Sequence, residues 1–193
     1  GRQISKWFDT IGRTGLIDGR SDYFIVEEEE DEHLIKYAIF DKDGNQITSE
    51  WFDYIWEDGL VKGESDYYIA VKNKKYAIFD KYGNQISDWF NDIKEDGLVK
   101  GQSPYYIARK DWKYAIFDKD GNRITELYDD ILPSGLVEGK SRYYIAKKDW
   151  KWAIFDINGN RISDWFDGIK EDGLIEGQSP YYIAKKNWKY AVF

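Results

Sequence analysis

The sequence predicts an all-β fold: a five-bladed β-propeller of four-stranded blades, closed by pairing of the N- and C-terminal strands. Three observations predict it. A repeat of about 38 residues occurs five times, each repeat holds four short β-prone segments, and one recurring turn occurs only four times. A linear β-solenoid is the alternative that these observations leave open.

The repeats each begin at a recurring glycine, namely Gly1, Gly44, Gly83, Gly121 and Gly159. No linker or low-complexity segment separates them, so residues 1–193 are expected to form a single five-repeat domain.

Four segments are expected to be strands in each repeat. In the fifth they are 161–166, 173–176, 181–186 and 189–193, rich in Tyr, Ile, Phe and Val. Polar turns separate them, such as the Gly-Gln-Ser-Pro turn at 177–180. We expect the short Gly-Leu strand to line the axis, the two apolar strands to lie within the blade, and the Ile-Ser strand to lie outside.

Closure of the ring is predicted from a missing turn. The Asp-x-x-Gly turn occurs at 41–44, 80–83, 118–121 and 156–159, and a fifth copy would join Phe193 to Gly1. A ring cut at one turn gives that count, with residues 1–8 supplying the outer strand of the last blade. A solenoid would more often carry atypical polar repeats at its ends, and neither end looks like such a cap.

The stretch 146–160 resembles the bacterial WG-repeat pattern, in which a Lys-rich turn precedes an aromatic residue, an Ile-Asp strand and a glycine turn. The resemblance extends over all five repeats. It is a diverged one, because the naming tryptophan is kept only as Trp152 and the glycine after it is alanine. The resemblance implies a repeat module used for binding, with no activity of its own. The five-fold ring is similar to lectin propellers in architecture alone.

Composition argues against several classes of function. The chain has 28 basic and 36 acidic residues and a net charge of −8, which suits a nucleic-acid backbone poorly. It has no Cys and a single His, so thiol chemistry and His-ligand clusters are excluded. No apolar run approaches the roughly 18 residues of a membrane span, and no signal peptide opens the sequence. We expect a non-enzymatic monomer without cofactor, nucleic-acid partner or membrane partner.

Three motifs invite a chemical interpretation and are better explained by turns. The Asp-rich turns could suggest Ca²⁺, but the middle Asp is present only at Asp43 and Asp120, so no metal site is predicted. A serine recurs at Ser21, Ser65, Ser103, Ser141 and Ser179. No recurring His stands near it to act as a base, so a turn-capping hydroxyl is expected. Acid pairs recur in every repeat, whereas an active site normally breaks symmetry.

Three tryptophans are the most informative candidates. Trp112, Trp150 and Trp188 each fall at the tip of a two-residue hairpin between the apolar strands, beside Asp111, Asp149 and Asn187. Lys74 takes the same position in the second repeat. Exposed aromatic side chains in loops favour binding. The alternative is that each Trp packs onto the next blade.

The other aromatic residues and the acidic insertion have structural interpretations. The Trp-Phe pairs at 7–8, 51–52, 89–90 and 165–166 are expected in the core between blades. The insertion at 27–33 is expected to be a solvated, mobile loop, and His33 an incidental part of it.

The function predicted from the sequence is a non-enzymatic repeat binding module, with lectin-like carbohydrate binding through the Trp tips. The alternative is a protein- or peptide-interaction module or a purely structural scaffold, natural or engineered, with no small-molecule ligand.

Overall fold

The computed structural model describes residues 3–31 and 34–193, which form five separate three-stranded antiparallel sheets. In chain order they are sheet 1, with β1 (Thr10–Ile11), β2 (Tyr23–Asp31) and β3 (Leu34–Asp41); sheet 2, with β4 (Tyr54–Ile55), β5 (Tyr67–Lys72) and β6 (Lys75–Asp80); sheet 3, with β7 (Asp92–Ile93), β8 (Tyr105–Lys110) and β9 (Lys113–Asp118); sheet 4, with β10 (Asp130–Ile131), β11 (Tyr143–Lys148) and β12 (Lys151–Asp156); and sheet 5, with β13 (Gly168–Ile169), β14 (Ile183–Lys186) and β15 (Lys189–Val192). The all-β prediction is confirmed.

The chain divides into two compact units. One comprises Gly1–Phe90 with Val99–Gly101 and contains sheets 1 and 2. The other comprises Asn91–Leu98 with Gln102–Phe193 and contains sheets 3 to 5. Nothing in this division tests the prediction of a single domain, which stays a prediction.

The long strands of sheets 1 to 4 bury both of their faces. In sheet 4, Tyr144, Ile145 and Ala146 of β11 are all fully buried, as are Ala153 and Ile154 of β12. Successive side chains of a strand point to opposite faces, so an uninterrupted buried run needs cover on each side. This is why the sequence shows apolar runs here rather than alternation.

The prediction of four strands in each sheet is wrong at both edges. The expected Gly-Leu strand is a turn: Gly97 has φ +85°, and the amide of Gln102 donates to its carbonyl at 2.9 Å. A residue in the left-handed region cannot continue a strand. The first strand of each sheet is instead the two-residue segment before the turn, Asp92–Ile93 in sheet 3.

The expected outer strand is reduced to isolated bridges. Beside β6 the bridges are Tyr76↔Phe90 and Phe79↔Gln85. Between them, the amide of Ile78 donates to the Ser87 hydroxyl at 2.8 Å. A side-chain oxygen therefore replaces a main-chain carbonyl, and the ladder is interrupted.

Closure of a propeller is the second wrong prediction. In the part of the chain that the structure describes, β15 pairs only with β14, and residues 3–8 form no strand. They lie against sheet 1, where the Phe8 ring meets Phe40 edge-on at 4.9 Å and Lys6 pairs with Glu28 at 2.7 Å. The expected neighbour of Phe193, Gly1, lies outside the described residues.

The recurring serines and glycines join one repeat to the next within each compact unit. Ser21 Oγ donates to the carbonyl of Val61 at 2.7 Å, and Ser103 Oγ donates to that of Val137 at 2.6 Å. Ser21 Oγ also accepts from the amide of Tyr23 at 3.2 Å, the capping role that the sequence predicts. A Cβ on Gly139 would collide with the carbonyl oxygen of Gln102, so the backbones meet where no side chain fits.

The Trp-Phe pairs are core residues mainly through their second member. Phe52, Phe90 and Phe166 are buried, while Trp89 and Trp165 pack partly buried against the clusters. Trp7 is the exception, with 87% of its surface exposed.

The acidic insertion is strand where a mobile loop was predicted. Residues 27–31 lengthen β2, and Leu34 begins β3. The pairing Glu28↔Lys36 places opposite charges across the strands, which stabilises a pair in a sheet. Glu32 and His33 lie outside the described residues.

The Asp-x-x-Gly turns engage their carboxylates internally. Asp156 Oδ1 accepts from the amides of Asn158 and Asn160 at 2.9 Å each, and Oδ2 accepts from the Asn160 side chain at 3.0 Å. These hydrogen bonds, the Asn160 side chain first, hold the pKa of Asp156 below its usual range. Asp41, Asp80 and Asp118 make the same contacts.

No helix among the described residues is long and apolar enough to span a membrane. In the same ranges, no cluster of three or more His, Asp or Glu side chains is placed to hold a metal ion.

The close approach of backbones between repeats predicts that two glycine substitutions lower the free energy of unfolding by different amounts. Gly139 (φ +71°) faces a carbonyl, whereas a Cβ on Gly159 (φ +80°) has no atom within 4 Å. We expect Gly159→Ala to lower the free energy of unfolding by about 1 kcal/mol through backbone strain alone, and Gly139→Ala by about 3 kcal/mol. Urea unfolding measures both. Equal losses would contradict the close approach.

The turn carboxylates predict a loss of stability in acid. Because the folded-state pKa of Asp156 is depressed, its contribution is complete above the unfolded value of about 4 and disappears as pH falls through the folded value. Asp156→Asn keeps an acceptor and removes the titration, so its stability should depend less on pH between about 5 and 2. Urea midpoints across that range test this, and parallel curves for the two proteins would refute it.

Candidate functional site

The hairpin tips hold bulky residues in an unfavourable backbone conformation. Asp149 and Trp150 have φ of +49° and +66°, and the equivalent pairs Asp111–Trp112 and Asn187–Trp188 agree with them within a few degrees. Such two-residue turns match the twist of a hairpin and prefer Asn-Gly or Asp-Gly. A Trp in place of Gly costs on the order of 1 kcal/mol. The same backbone conformation occurs at the Asn73–Lys74 tip of the second repeat, so three of the four strained tips carry Trp.

The three indole rings are in solvent. The exposed fractions of Trp112, Trp150 and Trp188 are 83%, 84% and 87%. The alternative in which each ring packs onto the next sheet is therefore not what the structure shows. An aromatic ring that does pack between strands in this protein, such as Tyr68, is fully buried.

A cation beside each ring sets its orientation. Arg109, Lys147 and Lys185 lie 5.5, 5.0 and 4.5 Å from the ring centres of Trp112, Trp150 and Trp188. Each cation also lies close to a second aromatic ring, as Lys147 does to Trp152 at 5.4 Å. Cation–π attraction at exposed sites contributes about 0.5–1 kcal/mol. It restrains the indole without burying it.

A side-chain oxygen from the preceding loop accepts a hydrogen bond from the backbone of each Trp tip. At the first tip it is Asn91 Oδ1, which accepts from the amide of Asp111 at 3.3 Å, and at the other two it is a carboxylate. The amide of Asp149 donates to Asp129 Oδ2 at 2.8 Å, and that of Asn187 donates to Asp167 Oδ2 at 2.7 Å. Asp129 also forms an ion pair with Lys113. The Lys113 hydrogen bond, more than any other contact, holds the pKa of Asp129 below its usual range. Asp129 is therefore a charged acceptor at neutral pH.

Trp150 and Asp149 open onto a groove of about 570 Å³. Its other lining residues are Tyr114, Asp129, Asp130 and Lys147. One wall is held in place by Lys94, whose ammonium donates to the carbonyl of Ile131 at 2.5 Å and to Asp130 at 3.3 Å. Aromatic faces beside carboxylates and a lysine form a surface that can hold a polar ligand with one apolar face.

The structure places the six predicted site residues at three tips, and only one tip lines this groove. Trp150 and Asp149 face it, whereas Trp112 with Asp111 and Trp188 with Asn187 are at tips of their own. Asp149 also lines a second groove of about 380 Å³ with Lys148, Lys151 and Trp165.

Four residues of the groove were missed by reasoning from the sequence. They are Tyr114, Asp129, Asp130 and Lys147. Strand register could have identified Lys147, because it pairs directly with Trp152 and so shares a face with it. Asp130 belongs to the short strand β10, which the sequence did not predict.

Comparison with known proteins identifies no family. No protein-family model matches the chain, and neither does any curated protein. Several solved structures resemble it, among them the following two. "KlHsv2 with loop 6CD replaced by a Gly-Ser linker" has 13% identity and a TM-score of 0.45, over 90% of this chain and 61% of that one. "Kluyveromyces lactis Hsv2 complete loop 6CD" has 10% identity and a TM-score of 0.41, over 90% and 56%.

The chain thus spans about three fifths of the length of the proteins it resembles. So low a similarity carries no function from them to this chain. The repeating β structure rests on the five sheets themselves.

The second repeat supplies a natural test of whether the tip Trp stabilises the fold. Lys74 occupies the same turn position with φ +60°. We expect Trp150→Lys to lower the free energy of unfolding by no more than about 1 kcal/mol, the contribution of the cation–π contact with Lys147 that it removes. Trp150→Val places a β-branched residue at positive φ and should cost about 2 kcal/mol. Urea unfolding compares them, and a Lys variant as unstable as the Val variant would make Trp150 a packing residue.

Proposed function

We propose that this chain is a non-enzymatic repeat binding module that holds carbohydrate at its Trp tips. The observation that carries the proposal is that three tryptophans are kept exposed, in strained turns, beside an ordered set of charges. A residue needed only for stability would be under pressure to become glycine at these positions.

The groove at Trp150 offers the two kinds of contact that a sugar ring needs. The face of the indole stacks against the C–H face of the sugar. Asp129 and Asp149 accept hydrogen bonds from hydroxyl groups, and Lys147 donates one. Asp129 is already fixed by Lys113 and by the Asp149 amide, so little order is lost when a ligand binds.

The two carboxylates that support tip backbones, Asp129 and Asp167, are suited to hydrogen bonding rather than to acid catalysis. A glycosidase needs one carboxylic acid whose pKa is raised, so that it can protonate the leaving group. Asp129 has its pKa lowered by Lys113, and Asp167, at the next tip, has its pKa lowered by Lys151. Ionised carboxylates of this kind accept hydrogen bonds and are poor acids.

Three tips on one chain support multivalent binding. Each contributes a single aromatic face, so each contact is expected to be weak, and linked contacts raise the overall affinity. This mode of use agrees with what the WG-repeat resemblance implies, a diverged repeat module for binding.

A glycan array with tip variants tests the proposal. The chain with Lys at 112, 150 and 188 should lose at least about tenfold of the signal, since each tip loses its stacking face. Tyr82→Lys removes an exposed aromatic side chain (74%) outside the tips and should bind like the parent chain. Lys74→Trp adds a fourth tip and should raise the signal.

Two outcomes would overturn the carbohydrate proposal. One is an array on which the folded parent chain gives no specific signal. The other is a triple-Lys variant that binds as well as the parent chain. Either result, with intact folding by circular dichroism, would favour a protein or peptide ligand or a purely structural role.

A further inference from the structure

The first and last repeats expose surfaces that interior repeats bury against each other. The N-terminal end face comprises residues 3–8, Arg13, Ile17 and Gly19, and the C-terminal end face comprises Asp172, Gly173, Gln178, Ser179 and β15. Each feature of one face has its counterpart on the other.

Ile17 is an exposed apolar side chain, whereas the equivalent side chain of every later repeat is buried against the preceding repeat. It is 62% exposed, whereas Val61, Val99, Val137 and Ile175 at the same repeat position are 1% exposed or less. Each of those covers a glycine of the preceding repeat. Val61 Cγ1 lies 3.1 Å from the Cβ position of Gly15, and Ile175 Cγ2 lies 3.0 Å from that of Gly135.

The matching site is open at the other end of the chain. Gly173 is the last glycine of that series, and it borders a cavity of about 180 Å³ with Ser179, Tyr181 and Val192. A branched aliphatic side chain such as Ile17 fits a cavity of this size and lining. Ser179 is the equivalent of Ser21 and Ser103, whose hydroxyls donate to the carbonyl of the inserted Val.

The strand edge beside that cavity is exposed as well. Every residue of β15 is exposed, including Tyr190 and Val192. In sheet 4 the corresponding edge is covered through the bridges Trp152↔Phe166 and Phe155↔Arg161. By repeat position, their counterparts are Tyr190 with Phe8 and Phe193 with Gln3.

Charges at the two end faces are complementary. At the first junction, Thr14 Oγ1 donates to Glu57 at 3.0 Å. On the C-terminal end face the position of Thr14 is taken by Asp172, and on the N-terminal end face the position of Glu57 is taken by Arg13. Both residues are exposed, and their charges are opposite.

We propose that the C-terminal end face of one copy binds the N-terminal end face of a second copy, as one repeat binds the next. Ile17 enters the cavity at Gly173, Ser179 donates to the Ile17 carbonyl, and Arg13 pairs with Asp172. The Phe8 segment covers β15. Because the two faces differ, each added copy leaves one of each kind free, and association continues beyond a dimer.

Sedimentation velocity over a range of concentrations tests the association. The mean mass of the parent chain should rise steadily with concentration and pass that of a dimer. Ile17→Lys places a charge in the apolar cavity and should raise the dissociation constant at least about tenfold. Leu34→Lys changes an exposed aliphatic side chain outside both end faces and should associate like the parent chain.

A glycine pair separates association from folding. A Cβ on Gly19 meets nothing within 4 Å in the single chain, yet at the equivalent Gly63 it would collide with the carbonyl oxygen of Arg20. Gly19→Ala should therefore prevent association, while Gly159→Ala, with similar strain (φ +80° against +78°) and equally open surroundings, should not. Both should unfold at similar urea concentrations.

Three results would overturn the proposal: a monomer at every concentration, a mass that stops at the dimer, or Gly19→Ala associating as Gly159→Ala does. The association does not depend on sugar binding, so the triple-Lys tip variant should associate like the parent chain. Mixing Ile17→Lys with the parent chain should shorten the assemblies, because the variant binds through one face only.

Discussion

The close approach of backbone to backbone between successive repeats is the contact on which the rest of this structure depends. Gly63 and Gly139 bring the turn of one repeat against a carbonyl of the preceding repeat. Only at that separation do the Ser21 and Ser103 hydroxyls reach the carbonyls of Val61 and Val137. A side chain at the glycine would hold the sheets apart and open voids among the fully buried strand residues, since interiors are packed to high density.

The sequence was most informative where side-chain chemistry decides the structure. The two long strands of each sheet, the Asp-x-x-Gly turns and the hairpin tips follow from residue type and spacing, and the structure confirms them. It was least informative at the sheet edges. The Gly-Leu segment looked like a strand because Leu98 and Val99 are apolar, but positive φ at Gly97 turns the chain while those side chains are still buried. Closure was inferred from a count of turns, and a count does not reveal where residues 3–8 pack.

The candidate site divides in the same way. The exposed Trp tips follow from local hairpin geometry, so three tryptophans could be identified from spacing alone. The remainder of the groove comes from a neighbouring sheet, as Tyr114 of β9 does, and from strand pairing within sheet 4, as Asp130 of β10 does. One sequence does not encode such relations in any short motif. The role of Asp129 likewise depends on its contacts. It is one of many acidic residues in the sequence, and only its contacts with Lys113 and the Asp149 amide identify it as a fixed acceptor.

The hydroxyl side chain that interrupts the outer edge, Ser87, Thr125 or Ser163 in sheets 2 to 4, has a consequence for how the repeats vary in length. Between the bridges Phe79↔Gln85 and Tyr76↔Phe90 the outer segment advances five residues, whereas between Phe40↔Gln46 and Tyr37↔Phe52 it advances six. In a continuous ladder one added residue would turn every following side chain to the opposite face. Here the outer segment is paired only at two isolated bridges, so the residues between them can accommodate the addition. Phe52 therefore remains buried, like Phe90. The outer edge is thus the place where a copy can gain or lose a residue without losing its neighbours.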